Sequence, residues 1–256
     1  MNKEKINLIY FEEKIEHGNF GDEISKFVVE KLINKKKYEL VFNQKNIKKN
    51  LIAVGSFLHN AENNYYIYGT GLRTNPPIEG PQSYTQLNIS ACRGPKTYDF
   101  LKNTKKQKCP NVFGDPALLL KELYIPKKNN DLTNKIGIVP HKSNYQFYKN
   151  LNLPIKYHII NPRDLWSNVV NEIYSCKSII SSSLHGLIIS DAYSKPNMML
   201  YEIELNEGMF KFTDYFESQQ RPFMYINNLD EYHEKLLYCL GNNINLDALK
   251  KAFPFQ

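Results

Sequence analysis

The chain lacks most of what marks a secreted, metal-binding or membrane-spanning protein. Four cysteines, Cys92, Cys109, Cys176 and Cys239, are spread over 256 residues. None forms a CxxC pair or stands at ligand spacing from a histidine, so neither a disulfide framework nor a zinc site is expected. Reduced thiols and a cytoplasmic location follow as expectations. Long apolar runs are missing too. The run in the opening MNKEKINLIYFEEK is too short, and too soon broken by acids, for a signal sequence or a membrane span. GNFGDE departs from both GxGxxG and GxxxxGK[ST], which speaks against a nucleotide-binding glycine loop. No internal repeat or low-complexity segment is visible.

What is present is ordinary for a folded chain: 42% hydrophobic and 23% charged residues, well outside the composition of disordered proteins. The formal charge of +7, from 33 basic and 26 acidic residues, favours anionic partners. Much of the excess lies in lysine clusters at Lys35–Lys37, Lys45–Lys49 and Lys102–Lys108. These read as solvated faces, with a peripheral contact to anionic lipid on the inner face of the membrane as the other reading. They lack interleaved aromatics or a reader motif, so no nucleic acid partner is expected.

Hydrophobic patterning predicts alternating strands and helices. Ile6 to Phe11 reads as a buried strand, and HGNFGDEISKFVVEKLI runs from a glycine turn into a helix with Ile24, Phe27, Val28 and Leu32 on one face. Strands follow at YELVF, NLIAVGSF and YYIYGTGL, and ISACRGPKTYDFLKN repeats strand, glycine turn and helix. The polar stretch IPKKNNDLTN then interrupts the pattern. Beyond it come KIGIVPH and IKYHIINP as strands, DLWSNVVNEIYSCK as a helix, SIISSS as a strand, LHGLIISDAYS as a helix and NMMLYE as a strand. The expected fold is α/β, with two Rossmann-like halves facing a cleft. The expected units are an N-terminal domain over 1–125, a linker over 126–134 and a C-terminal domain over 135–256.

The candidate site residues sit where such strands end. In SSSLHG the apolar strand stops at three serines and a helix begins near Leu184. Unpaired N–H groups, the hydroxyls of Ser182 and Ser183, and His185 in the first turn then suit a phosphate or carboxylate. The alternative is that a serine caps the helix, His185 packs, and Gly186 permits close approach to the sheet. In GNFGDEIS, Asn19, Asp22 and Glu23 open the first helix. Asn19 and Asp22 either meet a sugar hydroxyl at the cleft or, with Asp22 as N-cap, serve only the helix. Arg93 ends a strand before Gly94 and Pro95 and either grips an anion bidentately or forms an ion pair. His141 and Lys142 end the strand KIGIVPH, and Asp115 in FGDPALLL reads mainly as a turn former.

GNFGDE, VGSF, YGTGL, CRGPKT, FGDPALLL, VPH and SSSLHGLIISDAY occur in the order found in the polysaccharide pyruvyl transferase family, which the chain resembles over most of its length. The resemblance implies a GT-B-like arrangement. It implies transfer of the enolpyruvyl-derived group of phosphoenolpyruvate to a sugar of a bacterial surface polysaccharide or its lipid-linked precursor, closing a pyruvate ketal without any cofactor. Carried over by motif, Arg93 matches an arginine that helps hold the donor and His185 the histidine of the family's signature; beside them Ser182, Ser183, His141 and Lys142 are expected on the donor side, and Asn19 and Glu23 on the acceptor side. His185 becomes the candidate acid and Asp22 the candidate base, and no metal is required. Ser183 stands where many members have an arginine, as in the branch similar to succinoglycan pyruvyltransferases, so His141, Lys142 or Arg163 has to compensate if the donor is unchanged. Two rival readings are a GT-B glycosyltransferase using a nucleotide sugar and a non-catalytic glycan-binding subunit.

Overall fold

The computed structural model describes residues 3–11, 18–74, 84–202, 209–232 and 243–256. In chain order the first half runs β1 (Glu4–Leu8), α1 (Phe20–Leu32), β2 (Tyr38–Phe42), β3 (Lys49–Ile52), β4 (Tyr66–Tyr68), β5 (Asn88–Ala91), α2 (Pro95–Asp99) and α3 (Leu120–Leu123). The second half runs β6 (Ile136–Val139), α4 (Tyr145–Lys149), β7 (Tyr157–Ile159), α5 (Trp166–Ser175), β8 (Ser178–Ser181), α6 (Leu184–Ala192), β9 (Asn197–Leu200), α7 (Phe210–Ser218), β10 (Tyr225–Ile226) and α8 (Leu246–Lys251). The predicted strands and the long helices are present, and α6 starts at Leu184 as its sequence suggests.

The described strands form two five-stranded sheets, ordered β2-β1-β3-β4-β5 and β10-β9-β8-β6-β7. Every pairing is parallel. Counted from its own first strand, each sheet has the order 2-1-3-4-5, so the two halves repeat one topology that the sequence does not display as a repeat. Parallel strands need helical crossovers that cover both faces, which is why β6, β8 and β9 are buried at every position. In this topology the order reverses once per sheet, between β1 and β3 and between β6 and β8. The crevice beyond the strand ends at such a reversal is the natural ligand position.

The helices join the halves through one shared core. Phe20, Ile24 and Val28 of α1 pack in a common cluster with Leu184, Leu187 and Ile188 of α6 and Phe212, Tyr215 and Phe216 of α7. The end of the chain returns to the first sheet: Leu249, Phe253 and Phe255 are buried with Ile6, Leu8, Leu51 and Tyr68. The Tyr68 hydroxyl donates to the Leu249 carbonyl at 3.0 Å. Leu249→Ala should therefore cost about 2–5 kcal/mol by leaving a cavity under the first sheet. A urea midpoint within error of wild type would show that α8 contributes nothing to that core.

Candidate functional site

The reversal points of both sheets open onto the same cleft, a cavity of about 200 Å³. Phe11, Asn19 and Asp22 reach it from beyond β1, and Ser56 and Phe57 from beyond β3. His141 and Lys142 reach it from beyond β6, and Ser183, Leu184 and His185 from beyond β8. Arg73, beyond β4, and Lys211, on α7, complete the lining. The Lys142 ammonium stands over the Phe11 ring, 4.5 Å from its centre, so a side chain from one half covers one from the other.

His185 occupies the junction. Its ring is nearly buried and sits so close to α1 that a Cβ on Gly21 would fall 2.0 Å from Nδ1. The second glycine of GNFGDE thus lies inside the helix and clears the imidazole; the turn does not need it. Cap geometry also differs from the sequence expectation. Asn19, not Asp22, is the N-cap of α1, accepting from the Gly21 amide at 3.4 Å, and its own amide group donates to Asp22 Oδ2 at 2.9 Å. At α6 the N-cap is Ser183, whose hydroxyl makes no capping bond; Ser181 Oγ accepts from the Ser183 amide instead, at 3.0 Å. Gly186 does clear the sheet, since a Cβ there would lie 2.2 Å from Ser181 Oγ.

His185 Nε2 is buried without a hydrogen-bond partner, 3.8 Å from Asp115 Oδ2. An orphaned buried nitrogen is costly in a folded protein and points to a group that a ligand satisfies. Burial first, then the charges of Arg93 and Lys211, lower the His185 pKa to about 3, so the imidazole is neutral at neutral pH. Burial raises Asp22 to about 7, against the opposing pull of Lys142, Asn19 and Arg73. Burial also raises Asp115 to about 6. The turn reading of Asp115 holds locally, because Oδ1 accepts from the Ala117 amide at 3.0 Å. Its other oxygen accepts from Gly55 at 3.0 Å, and this long-range contact brings the carboxyl beside His185. Gly55 holds that position with φ +94°, which suits glycine.

Arg93 lies outside the cleft lining, fully buried beneath it. Its Nε donates to Asp214 Oδ2 at 3.0 Å, Nη2 to the Leu72 carbonyl at 2.5 Å, and Nη1 to Ser56 Oγ. Ser182 is buried as well; its hydroxyl accepts from the His141 amide at 2.8 Å and donates to Glu202 at 2.7 Å. Neither Glu23 nor Arg163 lines the cleft. Among the described residues the lysines and arginines that do are Lys142, Arg73 and Lys211, the last two not singled out in the sequence. Arg73 follows YGTGL as Arg93 follows a strand, and that position was its only signal. Cys92, Cys109 and Cys176 are free thiols, and Cys239 lies outside the described residues. Among the described residues no three His, Cys, Asp or Glu side chains group to hold a metal ion, and no helix is long and apolar enough to cross a membrane.

Fold and cleft together define an α/β protein with two parallel sheets and a buried, anion-compatible site between their strand ends. Its family follows from the sequence: a model of the family described as polysaccharide pyruvyl transferase matches residues 19–202, and the chain belongs to that family. The chain is also 28% identical over 255 residues to an uncharacterized protein of Acanthamoeba polyphaga mimivirus, covering 96% of this chain and 83% of that relative. No solved structure matches.

Two outcomes check this geometry. Arg93→Ala should destabilise the fold by about 3–5 kcal/mol, because it leaves the Asp214 carboxylate buried and unpaired. An unchanged denaturation midpoint would remove Arg93 from its structural place. Asp22 has a pKa raised from 3.8 to about 7, so the folded protein binds more protons than the unfolded chain between those values. Its ionisation therefore lowers stability as pH rises through that window. The melting temperature of Asp22→Asn should match wild type near pH 4 and exceed it by an increasing margin up to pH 8. A difference that is flat or shrinks with pH would contradict the shift.

Proposed function

We propose that the protein is a ketal-forming pyruvyltransferase that uses phosphoenolpyruvate as donor and a sugar, free or within a lipid-linked precursor of a surface glycan, as acceptor. The observation that carries this reading is the convergence of Arg73, Lys142 and Lys211 on the cleft that holds His185 and Asp22. A small donor with two anionic groups needs several cations at short range, and fixed cations in a partly desolvated cleft bind it without reorganising. Arg73 supplies the guanidinium that Ser183 lacks. Arg93 acts from beneath as a positioning residue. The GT-B-like arrangement, with units 1–125 and 135–256 joined by 126–134 and the end of the second returning to the first sheet, belongs to the same proposal, as does work at the cytoplasmic face of a membrane.

The reaction adds a proton to C3 of phosphoenolpyruvate, making a methyl group, while a sugar oxygen bonds to C2 and gives up its proton. The C2–O bond to phosphate then breaks, and a second hydroxyl of the same sugar bonds to C2 with loss of its proton. Two hydroxyl protons are released and one is taken up by carbon, so phosphate leaves with the other. Burial favours exchanging the roles that the sequence suggests. Neutral His185, with Nε2 unpaired, takes the place of the base that receives a hydroxyl proton, its proton affinity raised when the charge of the bound donor offsets Arg93 and Lys211. Asp22, with a pKa of about 7, suits the acid that delivers one to C3.

The purified protein, given phosphoenolpyruvate and candidate sugar acceptors, should release phosphate and yield an acceptor carrying one pyruvate ketal by mass. His185→Asn keeps side-chain size and loses the base, so turnover should fall by roughly 10²- to 10⁴-fold at unchanged melting temperature. Near-normal turnover in that variant excludes His185 as the base. Transfer from a nucleotide sugar without phosphoenolpyruvate consumption would replace the whole reading with a glycosyltransferase.

A further inference from the structure

A second cavity, of about 450 Å³, lies at the strand ends of the second sheet. Ser143 and Asn144 enter it from beyond β6, Tyr201 and Glu202 directly after β9, Asn227 directly after β10, and Phe147 from α4. We propose that this cavity binds an uncharged sugar ring, the next unit of the acceptor glycan beyond the one modified in the cleft. The assignment of that ring as acceptor rests on the pyruvyltransferase reading.

The chemistry of the two cavities is divided. Arg73, Lys142 and Lys211 line the cleft, whereas among the described residues the second cavity is lined by no basic side chain and contains the carboxyl of Glu202. A phosphate or diphosphate placed there would meet the acceptor-only carboxyl of Glu202, which disfavours a nucleotide. A ring with several hydroxyls finds complementary partners: Glu202 accepts, and the amides of Asn144 and Asn227 and the hydroxyl of Ser143 both donate and accept. Aromatic surface supplies the apolar face. Phe147 is 62% exposed, and Tyr201 meets Tyr225 at 5.5 Å in a row that continues to Phe223 at 5.7 Å. Exposed rings clustered beside convergent polar groups mark a binding surface.

Hydrogen bonds link the cavity to the cleft. Asn144 Nδ2 donates to Glu202 Oε2 at 2.6 Å, Ser182 Oγ donates to Glu202 Oε1 at 2.7 Å, and the His141 amide donates to Ser182 Oγ at 2.8 Å. His141 lines the cleft. Buried Ser182, read from the sequence as a donor ligand, is therefore the wall between the two cavities.

The test is saturation-transfer NMR on the whole protein with cellobiose, lactose, mannobiose and diacetylchitobiose as probes, and UDP as the anionic competitor. At least one disaccharide should take up saturation, UDP and phosphoenolpyruvate should leave that signal intact, and the double variant Phe147→Ala, Asn227→Ala should weaken binding about tenfold at wild-type melting temperature. Absence of transfer to every disaccharide, an undiminished signal in the variant, or displacement by UDP would each overturn the subsite. Phosphoenolpyruvate binding is followed in parallel by calorimetry on wild type and Lys211→Ala. Sugar transfer without any phosphoenolpyruvate binding would leave the subsite standing and remove the pyruvyltransferase reading, and the reverse result would do the opposite.

Discussion

The guanidinium of Arg93 and the carboxylate of Asp214 are both fully shielded from water, and neither would tolerate that position alone. A buried ion pair repays desolvation only when its remaining donors and acceptors are also satisfied. Here they are: Arg93 reaches Ser56 and Leu72, and Asp214 accepts from the Thr97 amide at 2.9 Å and the Thr97 hydroxyl at 2.7 Å. The carboxylate thereby caps α2, whose own N-cap, Gly94, has no side chain to do so. Two glycines make room for the pair. A Cβ on Gly71 would lie 2.5 Å from Arg93 Cζ, and one on Gly94 would lie 2.0 Å from the Asp214 carbonyl oxygen. The pair fixes α7 of the second half against the strand ends of the first. Lys211, one turn before Asp214, is carried into the cleft as a result.

A second constraint comes from the repeated topology. Two sheets with one strand order, set with their reversal points together, bring residues from beyond five strands into one small volume. That volume is dry enough to depress a histidine and raise two carboxyls, which is unfavourable for folding and useful for proton transfer. Stability is recovered outside it, in the core shared by α1, α6 and α7 and in the return of Leu249, Phe253 and Phe255 to the first sheet.

The sequence made visible what local chemistry decides. YELVF and KIGIV are strands because β-branched and apolar residues run together, and SSSLHG is a strand end before a helix because serines follow such a run. Long-range partners left no local trace. Arg93 and Arg73 both follow strands near glycines, and only Asp214, 121 positions from Arg93, decides which of them turns away from the cleft. Asp115 looks like a turn former because half of its bonding is local; the bond to Gly55 that sets it beside His185 spans 60 positions. Gly21 reads as a turn glycine until the ring it accommodates is known. Lys211 has no motif at all, since its position follows from Asp214 alone.

The electrostatics of the cleft respond to a ligand in one direction. Lys142 and Arg73 hold the Asp22 pKa below what burial alone would give, and Arg93 and Lys211 add to the depression of His185. An anion bound among these cations offsets their field and raises the proton affinity of both groups. Asp22, already near 7, becomes protonated at neutral pH, whereas His185 starts near 3 and stays neutral through a shift of similar size. In the reading proposed above, binding of an anionic donor would therefore raise the fraction of molecules in which Asp22 is protonated while His185 is neutral. Without an anion at neutral pH, Asp22 is divided between its two forms, so a bound anion shifts an equilibrium that already exists.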